Sequence, residues 1–122
     1  MIYKFSSETQ KEIDEIIKKI QIWKDLFNIK QEYYIDGWSI SLKEKNVYPR
    51  CIVIFKSYES NQFDIKSFDV YLRNYKKEEY HEIYSVQKIK NQYDLIKELK
   101  QIIYGKDLGS QALKIYNETF SE

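Results

Sequence analysis

A chain of 122 residues, 43% of them hydrophobic and 32% charged, has the length and composition of one globular domain rather than of a disordered segment. Its 20 basic and 19 acidic residues leave a formal net charge of +1, which argues against binding driven mainly by phosphate contacts and against an acidic mimic of DNA. The single cysteine, Cys51, excludes an internal disulfide, and no run of eighteen apolar residues is present that could span a membrane.

The first predicted element is an amphipathic helix over residues 7–29. Ser7 and Gln10 resemble a capping box at its start, and the apolar residues that follow recur at three- and four-residue steps. The apolar stripe consists of Ile13, Ile16, Ile17, Ile20, Trp23 and Phe27, widened toward the end by Ile22, Leu26 and Ile29. Because the stripe widens there, we expect the last turns of this helix to be its most deeply packed part.

The next sixty residues change to the two-residue period of half-buried strands. This pattern predicts four strands, at 38–43, 50–58, 65–75 and 81–89. The connections between them are too short for the helical crossovers that parallel strands require. The sequence therefore predicts a four-stranded antiparallel meander.

Two local patterns within this region remain open. The pair Asp36-Gly37, which follows Tyr33, Tyr34 and Ile35, can form a tight hairpin turn or a bulge within one long strand. The inward set of the last strand is equally ambiguous, and consists of either Tyr84 and Val86 or Ile83 and Ile89.

Two helices are predicted to follow the strands. Asn91 offers a cap for the first, which carries an apolar stripe and ends near Gly105, a glycine at the usual C-terminal position. A shorter helix is predicted over residues 110–120. The predicted fold is α+β, a two-layer sandwich in which one N-terminal and two C-terminal helices cover one face of the sheet, as a single domain over residues 1–122.

No residue pattern in the chain indicates catalysis, a metal site or a cofactor site. His81 lies beside Glu79, but metal sites normally need three or four protein ligands, so a surface histidine is the simpler interpretation. A cysteine in an apolar strand, such as Cys51, is usually a small buried residue. The three glycines cannot build a phosphate-binding loop. We therefore expect a protein that is not an enzyme and that needs no cofactor.

Tyrosine is the most unusual feature of the composition, with twelve among 122 residues. Tyrosine combines a large rigid apolar area with a polar tip and is favoured at interfaces. The predicted partner-binding residues are Tyr58, Tyr71, Arg73 and Tyr75 on an exposed sheet face. Tyrosine is also a strong strand former, so plain decoration of the sheet and a stacking platform for bases remain alternatives.

These observations favour a small non-enzymatic protein-binding module, an inhibitor or immunity-type antagonist of one protein partner in a bacterium or phage. The alternative is a nucleic-acid-associated regulator that binds through lysines and exposed tyrosines. The N-terminus lacks the apolar run of a signal peptide, so we expect a cytoplasmic protein without membrane contacts. A homodimer formed through exposed aromatics and an edge strand also remains possible.

Overall fold

The computed structural model describes residues 7–45, 49–73 and 77–104, and for 71–73 it describes the backbone alone. In this part of the chain a helix, five strands and a second helix follow one another, and a 3-10 turn closes the first helix. The elements are α1 (Ser7–Ile20), the 3-10 turn (Gln21–Trp23), β1 (Phe27–Tyr33), β2 (Gly37–Glu44), β3 (Arg50–Ser57), β4 (Phe63–Arg73), β5 (Lys77–Ile89) and α2 (Gln92–Tyr104).

The strands form one antiparallel sheet in the order β1-β2-β3-β4-β5, which confirms the predicted α+β class and the antiparallel sheet. The predicted number of four strands is wrong, because the sheet has five. Each strand pairs with its neighbour in sequence, as the short connections require. The described elements include two of the three predicted helices, and the segment 110–120 lies outside the described residues.

The additional strand arises from the end of the predicted helix 7–29. The helix stops at Ile20, and the chain enters β1 at Phe27 after a turn. Trp23 and Phe27 are four residues apart and both are buried in the core, which is the spacing expected of a helix. Trp23 nevertheless lies in the turn and Phe27 in a strand, so the spacing alone extended the predicted helix too far. The expectation of deepest packing in the last helical turns is wrong, because Ile22 and Leu26 are exposed.

The hydrophobic core lies between the two helices and one face of the sheet. The fully buried side chains include Ile13, Ile16 and Ile20 of α1, Trp38, Ile40 and Leu42 of β2, Ile52 and Ile54 of β3, Ile65 of β4, and Leu95 and Leu99 of α2. Fully burying one such side chain contributes about 1.5–3 kcal/mol. We call the opposite side of the sheet the open face, because neither α1 nor α2 packs against it.

The turn between β1 and β2 is a tight hairpin, so Asp36-Gly37 does not form a bulge within one long strand. The Tyr34 amide donates a hydrogen bond to the Gly37 carbonyl at 2.7 Å, which leaves a two-residue loop. Gly37 begins β2 in close contact with β3, because a Cβ atom there would lie 2.4 Å from the Lys56 carbonyl oxygen. Glycine is required at this position by the close approach of two backbones.

Substitution of Gly37 should therefore destabilise the protein. We expect Gly37→Ala to lower the free energy of unfolding by about 2 kcal/mol, since the Lys56 carbonyl belongs to a paired strand and cannot move freely. Urea unfolding measures the loss, and Ser41→Ala, in the same strand, serves as the control. An unchanged unfolding midpoint for Gly37→Ala would contradict this packing.

Arg50 joins the start of β3 to the end of α2. Its guanidinium donates hydrogen bonds to the carbonyl oxygens of Ile102 and Ile103 at 2.6 and 3.2 Å, and it pairs with the Glu44 carboxylate at 3.3 Å. The last carbonyls of a helix lack partners within the helix and attract cations. The planar fork of arginine satisfies both carbonyls at once, so Arg50 fixes where α2 ends on the sheet.

We expect Arg50→Met to lower the free energy of unfolding by about 2 kcal/mol, because it leaves two half-buried carbonyls and the Glu44 carboxylate without their cation. Arg50→Lys should recover only part of this loss, because one ammonium cannot reproduce the fork. Chemical denaturation tests both variants, with Lys45→Met, a neighbouring exposed cation, as the control. Equal stability of Arg50→Met and wild type would remove this capping role.

Candidate binding surface on the open face of the sheet

The open face carries the side chains that alternate with the core residues along each strand. Strand register defines its members, because residues directly opposite each other on neighbouring strands share a face. They include Lys30 and Glu32 of β1, Ser39, Ser41 and Lys43 of β2, Cys51, Val53 and Phe55 of β3, Lys66, Phe68 and Val70 of β4, and Glu78, Tyr80 and Glu82 of β5.

The far ends of β4 and β5 form a two-stranded ribbon that bends over the open face. The last pair of β3 with β4 is Arg50 with Asp69, and β4 and β5 continue beyond it. Lys43 of β2 forms an ion pair with Glu78 of β5, although two strands lie between them in the sheet. Three strand spacings amount to about 14 Å in a flat sheet. The ribbon must therefore curve toward β2 for these side chains to meet.

A β-bulge explains this curvature. The register of β4 with β5 shifts between Ser67 and Phe68, since Ser67 pairs with Tyr84 and Phe68 pairs with Glu82. The extra residue on β5 is Ile83, which is exposed. Bulges bend the strand that contains them and increase its local twist. The bulge thus positions the ribbon over the start of β3.

The ribbon covers a small cluster on the open face, which we call the ribbon cluster: Lys43, Cys51, Phe68, Val70 and Tyr80. Cys51 is 5% exposed and Val70 is 3% exposed, although no described helix covers them. The rings of Phe68 and Tyr80 meet edge to face with centroids 6.1 Å apart, and the Lys43 ammonium lies 6.0 Å from the Tyr80 ring centroid. Tyr80 itself remains exposed and forms the outer surface of the cluster.

Burial and charge in this cluster change the protonation of its members. Burial raises the pKa of the Cys51 thiol, since a thiolate is poorly solvated there. The hydrogen bond between Lys43 and Glu78 raises the pKa of the lysine and lowers the pKa of the glutamate, so this pair stays charged over a wide pH range. Cys51 is therefore a protonated, buried thiol, as the sequence predicted for a small buried residue.

The reactivity of Cys51 reports whether Tyr80 covers it. We expect Tyr80→Ala to increase the alkylation rate of the thiol by about tenfold or more at neutral pH, because removing the ring admits water and reagent. Iodoacetamide labelling followed by mass spectrometry measures this rate, and Cys51 is the only thiol in the chain. Tyr93→Ala, on the exposed side of α2, serves as the control. Equal rates for wild type and Tyr80→Ala would show that the ribbon does not protect the thiol.

A second aromatic group lies at the opposite end of the open face. The rings of Tyr34 and Phe55 lie with centroids 6.4 Å apart, and the Tyr34 hydroxyl is 3.0 Å from the Ser39 hydroxyl. Tyr34 is exposed, whereas Phe55 and its neighbour Val53 are half-buried. We call the apolar surface that joins both ends the open-face patch: Tyr34, Val53, Phe55, Phe68 and Tyr80.

The charges around the open-face patch are largely neutralised within the molecule. Its lysines pair with carboxylates of the same face, and the pairs are Lys30–Glu32 at 3.9 Å, Lys43–Glu78, and Lys66–Glu82 at 3.3 Å. Phosphate binding requires cations that can exchange their counterions for phosphate groups. The open face therefore presents aromatic rings beside lysines that are already paired with carboxylates.

Of the four residues predicted as a binding site, the structure describes the side chain of Tyr58 alone. Tyr58 follows the end of β3 and packs against the hydrophobic core. The ribbon lies over the start of β3, at the opposite end of that strand. In the backbone register Tyr71 lies opposite Glu79 and Arg73 lies opposite Lys77. Tyr75 lies outside the described residues. Arg50, the other arginine of the chain, caps α2.

Sequence reasoning missed Tyr34 and Tyr80 as parts of a surface. Tyr34 was visible only as a residue near a turn, and its position over Phe55 depends on the hairpin geometry. Tyr80 lies beyond the bulge, where simple alternation along β5 no longer predicts the face. The only signal for a tyrosine surface in the sequence is the abundance of tyrosine, and abundance does not show which tyrosines form that surface.

His81 is exposed, as predicted, and its Nε2 atom lies 3.2 Å from a carboxylate oxygen of Glu79. Within the described part of the chain, no three His, Cys, Asp or Glu side chains are grouped so as to hold a metal ion. None of the described helices is long and apolar enough to cross a membrane. Comparisons with protein-family models, curated proteins and solved structures found no match to this chain.

Proposed function

We propose that this protein is a non-enzymatic, cytoplasmic binding module that occupies a surface of one protein partner. Its mode of action would be that of the small bacterial and phage inhibitors and immunity proteins, which act by blocking a functional surface of another protein. The open-face patch is the proposed contact. The observation that carries the proposal is a sheet face that no described helix covers, with an aromatic pair toward each end and lysines that are already paired with carboxylates of the same face.

Exposed tyrosines support this proposal. Tyr34 and Tyr80 keep their ring faces near solvent while a second aromatic ring, Phe55 or Phe68, holds each in place. A ring that is already immobilised loses little conformational entropy when a partner binds. Such rigid aromatic side chains are the usual anchors of protein interfaces.

The charge arrangement favours a protein partner over nucleic acid. A nucleic acid would have to separate Lys43 and Lys66 from Glu78 and Glu82 before it gained their charge. A protein surface with an apolar centre and a polar rim can contact the open-face patch with these ion pairs intact. The expected salt dependence of binding is accordingly shallow.

Tyr71 and Arg73 are proposed as additional contacts. They belong to the same ribbon as Tyr80, one and three residues beyond Val70, which pairs with Tyr80. In the backbone register they alternate with Val70, so contact with them requires a partner that extends beyond the open face to the end of the ribbon. Tyr58 is not included, because it packs against the core at the other end of β3.

The test begins with affinity capture from a lysate of the organism that encodes the chain, at low and high salt, and mass spectrometry of the retained proteins. Calorimetry with the purified partner then measures the dissociation constant. We expect Tyr34→Ala and Tyr80→Ala each to weaken binding by about tenfold or more, because each removes an aromatic anchor. Affinity should change little between the two salt concentrations.

Tyr93→Ala is the matched control, because Tyr93 is 77% exposed on α2, on the other side of the sheet. Thermal unfolding of every variant separates lost contacts from lost folding. Wild-type affinity of both Tyr34→Ala and Tyr80→Ala would exclude the open-face patch as the contact. Retention of nucleic acid that is lost at high salt would instead support the regulator alternative.

A further inference from the structure

The most exposed large apolar side chain of the described residues lies at the tip of the hairpin between β1 and β2. Ile35 is 84% exposed, and it shares the two-residue loop with Asp36. Turns favour Gly, Asn and Asp, so isoleucine is a poor choice for such a loop. Both loop residues have negative φ, because Lys88 is the only described residue other than glycine with a positive value. Neither the turn nor the core therefore accounts for an isoleucine at this position.

Backbone hydrogen bonds on both sides of Ile35 hold the tip in place. The Tyr34 amide donates to the Gly37 carbonyl at 2.7 Å, and the Tyr58 amide donates to the Asp36 carbonyl at 3.0 Å. The second bond joins the hairpin to the end of β3, where Tyr58 packs against the core. Isoleucine has few preferred χ1 rotamers, so this side chain loses little conformational entropy when a partner buries it.

The Asp36 carboxylate is a second group at the tip that the fold does not use. Asp36 is exposed, and among the described residues its side chain has no hydrogen bond or ion pair. The lysines of the open face differ, because each is paired with a carboxylate of its own chain. A free carboxylate beside an apolar side chain can attract a cation of the partner without breaking an internal pair.

The hairpin tip is continuous with the open-face patch. Tyr34 belongs to that patch, where its ring packs against Phe55, and Ile35 is the next residue along the chain. Because Ile35 belongs to the loop between two strands, it lies at the end of the sheet. A partner that contacts both must extend past this end. A loop tip is convex, so the surface that buries Ile35 must be concave.

We propose that Ile35 inserts into an apolar pocket of the protein partner, and that a lysine or arginine at the rim of this pocket pairs with Asp36. The inference rests on the proposed function, because the same partner would contact the open-face patch. It adds the chemistry of the partner, which has a cleft with an apolar floor and a basic rim. Apolar clefts with a few charged groups are the usual ligand sites of proteins. The hairpin tip would therefore act by occupying such a cleft.

The two side chains make unequal contributions to this contact. Moving an exposed isoleucine side chain into an apolar pocket strengthens binding by about tenfold or more. One ion pair at a solvent-exposed rim contributes less, about threefold. Binding should accordingly depend on Ile35 more than on Asp36.

Photo-crosslinking tests the contact. The full chain carries an aliphatic diazirine residue in place of Ile35, Val53 or Tyr93, and it is irradiated in a lysate of the organism that encodes it. Position 53 lies in the open-face patch, and position 93 lies on the other side of the sheet. We expect positions 35 and 53 to crosslink to the same protein and position 93 to give no crosslink to it.

Competition by unlabelled variants for the crosslink from position 53 measures each side chain. Halving this crosslink should require about tenfold or more Ile35→Ser than wild type. Ile35→Leu keeps the apolar volume and should compete far better than Ile35→Ser. Asp36→Lys should compete about threefold more weakly or worse, since it places a cation at a basic rim. Asp25→Lys, an exposed charge reversal before β1, is the matched control and should compete like wild type.

The outcomes separate this inference from the proposed function, and thermal unfolding confirms that each variant is folded. A crosslink from position 53 but not from 35, or equal competition by Ile35→Ser and wild type, would overturn the insertion and leave the open-face contact standing. A protein crosslinked from position 35 alone would support the insertion and exclude the open-face patch. Crosslinks from neither position would overturn both proposals. A crosslink from position 35 to nucleic acid or to a second copy of the chain would overturn the insertion.

Discussion

The isoleucines of α1 and the leucines of α2 pack against the same face of the sheet, and this one-sided burial determines the layout of the molecule. Because both described helices lie on one side, neither of them covers the other face of the five-stranded sheet. Arg50 holds the arrangement at one end by binding the last carbonyls of α2. The candidate surface exists because the helical layer is single.

The open face is shaped by a backbone irregularity more than by side-chain composition. One extra residue in β5 bends the ribbon toward β2, and the Lys43–Glu78 ion pair closes it there. This bend buries Cys51 and leaves Tyr80 on the outside. The same bulge makes β5 a poor edge for pairing with another chain.

Local ion pairs also determine the chemistry of the open-face patch. On the open face, lysines and glutamates of the same chain neutralise one another around aromatic rings.

The sequence by itself determined the features that depend on residues close together in the chain. These are the start of α1, the alternation of Trp38, Ile40 and Leu42, and the cap of α2. In that cap the Asn91 side chain accepts a hydrogen bond from the Asp94 amide at 2.8 Å. Short connections likewise determined an antiparallel sheet. Only the tertiary structure decided that Phe27 begins a strand. It also decided that Tyr84, Val86 and Ile89 all pack inward on β5 while Ile83 does not. Residue spacing reports which positions are buried, whereas the partner of each strand, and the bulges that reverse its faces, depend on contacts between residues distant in the chain.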